Sequence, residues 1–230
     1  MAHSDINAFK ALSKLLAEKL EKHGGQVDKP SVKILSMIQR MEQKAAALDK
    51  VRISRHPMDT EAAHLRKVAK AATNMRNESA EVRARIGAVY SQAAAEIVDA
   101  IDKRAGLVEG KYDAEIRTAF RSMTDSERSK TLTKALQEGN SEIIAAVCTG
   151  PAVLSGVNEV LRSNMLTSIR KQKSADLLEE FDELNEALNT ANAAERITEA
   201  MFRDNYDSRK MADIDKQEAA AEAAQAALIC

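Results

Sequence analysis

The sequence predicts an all-α fold: a bundle of long helices, or coiled-coil-like arms, with a short-helix reversal in the middle. Residues 157–230 contain neither proline nor glycine, so they are expected to form one helix of about 110 Å or two helices with a small kink. Hydrophobic residues make up 44% of the chain and aromatic residues only 3%. Alanine therefore supplies much of the apolar content, which suits close packing between helices.

Composition limits the classes of function. The 230 residues allow one or two domains, and 34 basic residues nearly balance 35 acidic ones. This leaves no basic excess of the kind that nucleic-acid binding favours. Cys148 and Cys230 lie too far apart to indicate a disulfide framework. No signal peptide or membrane-spanning segment is expected, and we predict a protein made in a reducing cytoplasm.

The N-terminal segment, residues 1–110, is predicted to hold three helices. The first runs from about Ser4 to His23, with Ser4 or Asp5 as its cap and Gly24-Gly25 as its end. The second follows Pro30, with Ser31 as a cap.

The third predicted helix, residues 59–105, is long. Its apolar residues keep helical spacing throughout, and Gly87 is its only internal helix breaker.

The middle segment, residues 111–156, differs because its elements are short. We predict helices near 112–123, 124–138 and 141–149. Thr124 and Glu127 fit a capping box, in which each side chain accepts a hydrogen bond from a free amide. Gly139-Asn140 fits a helix end. The segment is expected to reverse the chain between two long arms.

The C-terminal segment, residues 157–230, carries the clearest seam. Its residues alternate spacings of four and three, as in coiled coils. We predict self-association through this seam, which comprises Leu177, Phe181, Leu184, Leu188 and Ala191. The seam changes phase near Glu195, which leaves a bend open.

Charges are arranged in two blocks within the C-terminal segment. Basic residues come first (Arg162, Arg170, Lys171, Lys173), and acidic residues follow (Asp176, Glu179, Glu180, Asp182, Glu183, Glu186). One interpretation is a solvated helix face with local ion pairs. The other is that the two blocks set the register between helices of an oligomer, which predicts salt-sensitive association.

No catalytic, cofactor or metal site is predicted. Glu61 and His64 have the Glu-x-x-His spacing of di-iron bundles, but the chain has no second such motif. The stretch 106–111 resembles a phosphate loop only superficially and fits a helix end and a turn better. Cys148 has no nearby histidine in sequence and fits a packed thiol. We expect a non-enzymatic protein.

Two further kinds of partner are considered. A basic group on the third helix could contact nucleic acid, but no aromatic residues accompany it (Arg66, Lys67, Lys70, Arg76, Arg83, Arg85). Specific nucleic-acid binding is therefore not expected. Membrane insertion could use the alanine-rich tail and residues 143–154, but neither has a strongly basic amphipathic face.

One resemblance comes from turn and cap residues of the middle segment. They lie in residues 120–128, 136–140, 144–147 and 150–156. These stretches, within a match that covers about 40 of the 230 residues, resemble poorly characterised helical proteins encoded among the structural genes of tailed bacteriophages. The resemblance implies a protein made in the bacterial cytoplasm and associated with the virion, as an internal or ejected protein, a connector-region component or an assembly factor. It assigns no role to any residue.

The sequence thus leads to two hypotheses about function. The first is a homo-oligomeric structural or assembly component that contacts other virion proteins and builds a tube, ring or sheath from its helices. The alternative is a cytoplasmic helical adaptor or chaperone that binds a partner through an exposed seam around residues 181–188.

Overall fold

A computed structural model describes residues 2–22 and 28–229. These residues form ten helices and no strand, which confirms the predicted all-α class. The expected helix end at Gly24-Gly25 and the residue Cys230 lie outside the described residues. The helices are α1 (Ala2–Lys22), α2 (Pro30–Ile53), α3 (Glu61–Arg104), α4 (Asp113–Ser122), α5 (Asp125–Gln137), α6 (Ser141–Cys148), α7 (Ala152–Ser155), α8 (Glu159–Lys173), α9 (Ala175–Asn205) and α10 (Ser208–Ile229).

The chain divides into two compact units. Unit 1 comprises Met1–Tyr90 together with Leu184–Cys230, and unit 2 comprises Ser91–Glu183. These units do not follow the three segments of the sequence analysis, because α3 and α9 each contribute residues to both units.

Unit 1 contains α1, α2, the first part of α3, the second part of α9, and α10. Its core is built from the apolar faces that the helical spacing predicts. The fully buried side chains include Phe9, Ile34, Ile38, Ile86 and Met201. Alanines at buried positions of α3 and α9 leave room for the larger side chains of neighbouring helices.

Polar contacts between α3 and α9 hold the two helices in register within unit 1. Tyr90 donates a hydrogen bond to Asn185 at 2.8 Å, and Arg83 donates to Asn192 at 2.5 Å. The Nε of Arg76 lies 2.8 Å from the carboxylate of Glu199. These partners are more than 90 residues apart in sequence, so only the folded chain reveals the pairing.

The helix starts predicted for unit 1 are wrong in detail. Helix α1 already includes Ala2, so Asp5 lies in its first turn rather than at its cap. Helix α2 has Lys29 as its N-cap residue, and Ser31 is buried inside the first turn. Proline explains the second difference, because its fixed φ angle suits the first helical position and begins α2 at Pro30.

Unit 2 is organised around α6, which contacts α4, α5, α7 and α8. The helix is short and almost entirely apolar, and residues 144–148 are buried. Phe120, Leu132, Val157 and Ile169 from the surrounding segments complete this core. The expected capping box at the start of α5 is confirmed, with Thr124 and Glu127 bonded reciprocally.

Arginine side chains occupy the C-terminal ends of the short helices in unit 2. Arg117 of α4 donates to the carbonyl of Ala146 at 2.6 Å. Arg162 of α8 donates to the carbonyls of Cys148, at 3.0 Å, and Gly150. The last carbonyls of a helix have no partner within the helix, so these arginines satisfy groups that burial would otherwise leave unpaired.

A third arginine performs the same task between α4 and α7. Arg128 donates to the carbonyls of Phe120 and Arg121, at 2.7 and 3.1 Å, and to the carbonyl of Gly156, at 2.9 Å. Gly156 has a φ of 70°, and a Cβ atom there would lie 2.9 Å from the Arg128 guanidinium carbon. Glycine is therefore required both by the backbone and by the arginine.

The C-terminal segment forms three helices rather than the expected one or two. The first break lies at Ser174, where φ is −142° and ψ is 39°. Its N–H donates to Arg170 at the end of α8, and its C=O accepts from Leu178 in α9. Its hydroxyl also lies 3.4 Å from the carbonyl of Ile101. A buried serine thus ends one helix and begins the next without a helix breaker.

The second break lies between α9 and α10. The carboxylate of Asp207 accepts hydrogen bonds from the N–H groups of Arg209, at 3.0 Å, and Lys210, at 3.2 Å. This is the hydrogen-bonding pattern of an N-cap aspartate. The absence of proline and glycine was therefore an insufficient criterion for an unbroken helix.

We predict that the buried arginine cap of α6 contributes strongly to stability. Replacing Arg162, whose side chain is 12% exposed, with methionine leaves the Cys148 and Gly150 carbonyls without their donor. We expect the free energy of unfolding to fall by about 2–3 kcal/mol, measured by urea denaturation. The matched control is Lys130→Met on an exposed face of α5, which should change it by less than about 0.5 kcal/mol. Equal effects of the two substitutions would contradict this assignment.

Candidate interaction surfaces

The predicted seam is only partly accessible in the single chain. Leu184 and Ala191 are buried in unit 1, and Leu188 is half-buried there. Leu177 and Phe181 are half-buried in unit 2. Two seam positions therefore already serve the interior of this chain. Self-association through the seam stays a prediction, and it could use at most the other three residues.

The two charge blocks meet at the break between α8 and α9. Arg170 pairs with Asp102 at 2.7 Å, and Arg104 pairs with Asp176 at 2.6 Å, so part of each block binds α3 within unit 2. Arg104 also lowers the pKa of the Asp176 carboxyl, chiefly through the hydrogen bonds that it donates. Arg162, which belongs to the basic block in sequence, points inward to the end of α6.

Three of the remaining charges, Lys171, Glu179 and Asp182, line a cleft of about 370 Å³ between α8 and α9. We call it the elbow cleft; its lining residues are Thr167, Arg170, Lys171, Ala175, Leu178, Glu179 and Asp182. The α8 side carries positive charge and the α9 side carries negative charge. Lys171, Glu179 and Asp182 form no ion pair with other described residues. The cleft therefore offers an apolar floor between two walls of opposite charge.

Helix α10 contacts the rest of unit 1 through residues of its first half. Ile214 is buried, and the Arg66 guanidinium pairs with Asp215, at 2.6 Å, and with Glu218. These hydrogen bonds, the one with Glu218 above all, raise the pKa of Arg66. Residues 219–227 are all exposed, and they are all alanine except Glu222 and Gln225. We call these nine residues the α10 tail.

Several large apolar side chains of unit 2 are also exposed. Val153 in α7 is 79% exposed, Val160 at the start of α8 is 72% exposed, and Leu154 is 38% exposed. By contrast, residues 144–148 lie in the core of unit 2, so five of the twelve residues 143–154, which could insert into a membrane, are covered by their own unit. No helix in the described parts of the chain is long and apolar enough to cross a bilayer.

The basic group on α3 has aromatic neighbours that sequence reasoning missed. Phe202 and Tyr206 of α9 stack with ring centroids 5.1 Å apart. The Arg76 guanidinium lies 4.6 Å above the Phe202 ring. Arg76 is nevertheless paired with Glu199, and Arg66 with Asp215 and Glu218. Carboxylates of the same unit thus balance these two cations, which would otherwise attract phosphates.

The histidine and glycine motifs have structural roles. The Nε2 of His64 lies 3.2 Å from the carbonyl of Arg52 near the end of α2. Gly106, with a φ of 69°, ends α3 through backbone bonds from Gly106 to Lys103 and from Leu107 to Asp102. This is a Schellman helix end, as the turn interpretation predicted. Among residues 2–22 and 28–229, no group of three or more His, Cys, Asp or Glu could hold a metal ion.

Cys148 lies in the core of unit 2 and is fully buried. Burial raises the pKa of its thiol to about 11, and the positive charge of Arg162 offsets this only in part. A thiol is nucleophilic only as the thiolate. At neutral pH, Cys148 therefore behaves as a small apolar side chain of the core.

Comparison with known protein families, curated proteins and solved structures finds no match for this chain. Its own surfaces therefore carry the information about its function. The α10 tail and the elbow cleft are two of the uncovered features that the described residues offer. Their chemistry suits the docking of helices.

We predict that Cys148 is unreactive while unit 2 is folded. In a Cys230→Ser background, Ellman's reagent at pH 8 should modify the native chain at least about 100 times more slowly than the chain unfolded in urea. Because the folded state favours the protonated thiol, its contribution to stability is full below about pH 9 and is lost between about pH 9 and 11. Equally fast modification of both states would contradict the buried placement of this thiol.

Proposed function

We propose that this protein is a non-enzymatic structural or assembly component that self-associates through its helices. The single observation that carries the proposal is the α10 tail, residues 219–227, which no described residue of the same chain covers. The resemblance of the middle segment to proteins of tailed-bacteriophage structural genes supports placement in a phage particle, either as an internal or ejected protein or near the connector.

The composition of the α10 tail supports packing against another helix. Alanine has the highest helix propensity, so the tail can remain helical without tertiary contacts. Its small side chains also allow two helix backbones to approach closely, which increases dispersion contacts along the whole length. A helix exposed on all sides gains none of this stabilisation until a partner arrives.

Contacts in the first half of α10 hold the helix so that its tail is exposed to a partner. Ile214 and the double ion pair of Arg66 fix the first turns of the helix on unit 1. The following nine residues continue the same helix without contacting the core. This arrangement presents a preformed helix, so binding costs little conformational entropy.

Exposed apolar side chains provide a second surface for assembly. Val153 and Val160 place bulky aliphatic groups in water, and burying each of them is worth about 1.5 kcal/mol or more. Contact with a second copy or with another virion protein would remove this apolar area from water. The same surface is the observation that favours the alternative function, an adaptor or chaperone that binds a client.

We predict that a charge placed in the α10 tail weakens self-association. Ala223→Glu keeps helix propensity nearly unchanged but puts a carboxylate where two helices would meet. The concentration needed for assembly should rise at least tenfold, as measured by light scattering across a dilution series. Ala114→Glu on the exposed face of α4 is the matched control and should leave assembly unchanged.

The same measurement separates the two functions. A wild-type chain that remains monomeric at every concentration and at low salt would contradict self-association and favour the adaptor. An oligomer unaffected by Ala223→Glu would show that the α10 tail is not its contact.

A further inference from the structure

We propose that the elbow cleft of one copy receives the α10 tail of a second copy. This inference rests on the proposed function, because it names the surface that the exposed tail binds. The cleft is concave and apolar at its floor, whereas the tail is a narrow convex helix of small side chains. Other described residues of the chain leave both features exposed to solvent. The convex helix and the concave cleft are complementary in shape.

Two charges, Glu222 in the α10 tail and Lys216 just before it, match the two walls of the cleft. A helix advances about 100° per residue, so Lys216 and Glu222 lie about 60° to either side of Ala219. Within residues 216–226, the face centred on Ala219 therefore consists of alanine, with Lys216 on one flank and Glu222 on the other. Asp215, just before this stretch, lies on the Glu222 side and pairs with Arg66 of its own chain. Neither Lys216 nor Glu222 forms an ion pair with another described residue.

Docking this face into the cleft places unlike charges together. Ala219 lies over the floor formed by Ala175 and Leu178. Glu222 then faces the α8 wall, where Lys171 has no partner among the described residues, and Lys216 faces the α9 wall with its two acidic residues. Reversing the direction of the tail would place like charges together, so the charges select one of the two directions along the cleft.

In this arrangement the two charge blocks of the sequence have two separate roles. Part of each block is consumed within unit 2, where Arg170 and Asp176 pair with residues of α3. Of the charges left over, Lys171, Glu179 and Asp182 line the elbow cleft. They would set the register between copies, which is the oligomer interpretation of the two blocks. Exposed ion pairs are screened by salt, so the contact should weaken as salt concentration rises.

A contact between two different surfaces is heterologous. Each copy offers one tail and one cleft, so a bound pair still has a free tail at one end and a free cleft at the other. Such contacts generate a closed ring when the rotation between copies closes, and an open filament when it does not. Both outcomes fit a component that builds an extended assembly.

Cysteine crosslinking tests this pairing directly in the full-length chain. Two preparations are made in a Cys230→Ser background, one carrying Ala175→Cys in the cleft and the other Ala219→Cys in the tail. Cys148 is buried and does not interfere. Under mild oxidation, the mixture should form a disulfide-linked dimer containing one copy of each variant, and neither preparation alone should crosslink appreciably. Ala114→Cys mixed with Ala219→Cys is the control and should remain uncrosslinked.

Charge reversal provides an independent measurement. Lys171→Glu and Glu222→Lys should each raise the concentration for assembly at least fivefold, and combining them in one chain should restore it to within twofold of the wild type. Lys130→Glu on α5 controls for the change in net charge and should have no effect. Circular dichroism checks that each variant retains its helices.

The possible results distinguish this inference from the proposed function. Crosslinking of Ala219→Cys with itself would overturn the inference and indicate tail-to-tail pairing, although self-association through α10 would stand. Assembly that is disrupted by Ala223→Glu but gives no mixed crosslink would likewise overturn the cleft as the receptor. A chain that never assembles would contradict both the inference and the proposed function.

Discussion

The ends of short helices impose the constraint on which unit 2 depends. Each helix leaves about four carbonyl groups without an internal partner, and in the eight residues of α6 that is half of the total. Burial of these groups without donors would cost more than the short helix gains from packing. Arg117 and Arg162 supply the donors at α6, and Arg128 does the same for the end of α4. The apolar core can therefore close around a helix that could not be buried on its own.

The interior of this protein differs from its proposed binding surfaces in which groups already have partners. Ser174, Asp207 and the arginine caps give the backbone its partners wherever the chain turns. The elbow cleft and the α10 tail differ, because their helices are complete while most of their side chains remain exposed to solvent. Such surfaces require no rearrangement on binding, which reduces the entropic cost of association. The proposed assembly uses these surfaces, where the backbone hydrogen bonds are already satisfied and the side chains are still exposed.

Two basic residues of α8 that are close in sequence have different roles. Arg162 and Lys171 belong to the same basic block, yet Arg162 binds carbonyls in the interior while Lys171 faces the elbow cleft. The choice of residue is consistent with these roles. A planar guanidinium can reach two carbonyls at once, whereas an ammonium on a flexible stem suits a solvated surface. Sequence spacing alone could not separate the two, because it does not show which side of α8 is covered.

The sequence by itself determined the helical class, the short helices of the middle segment, the capping box at Thr124 and the turn at Gly106. These features depend on local periodicity and on hydrogen bonds between neighbouring residues. Tertiary structure decided the breaks at Ser174 and Asp207, where polar side chains end helices that lack proline and glycine, and it also decided that Leu184 and Ala191 face the interior. The physical reason is that an apolar seam shows which face of a helix is buried, but not whether the cover comes from the same chain or from another copy.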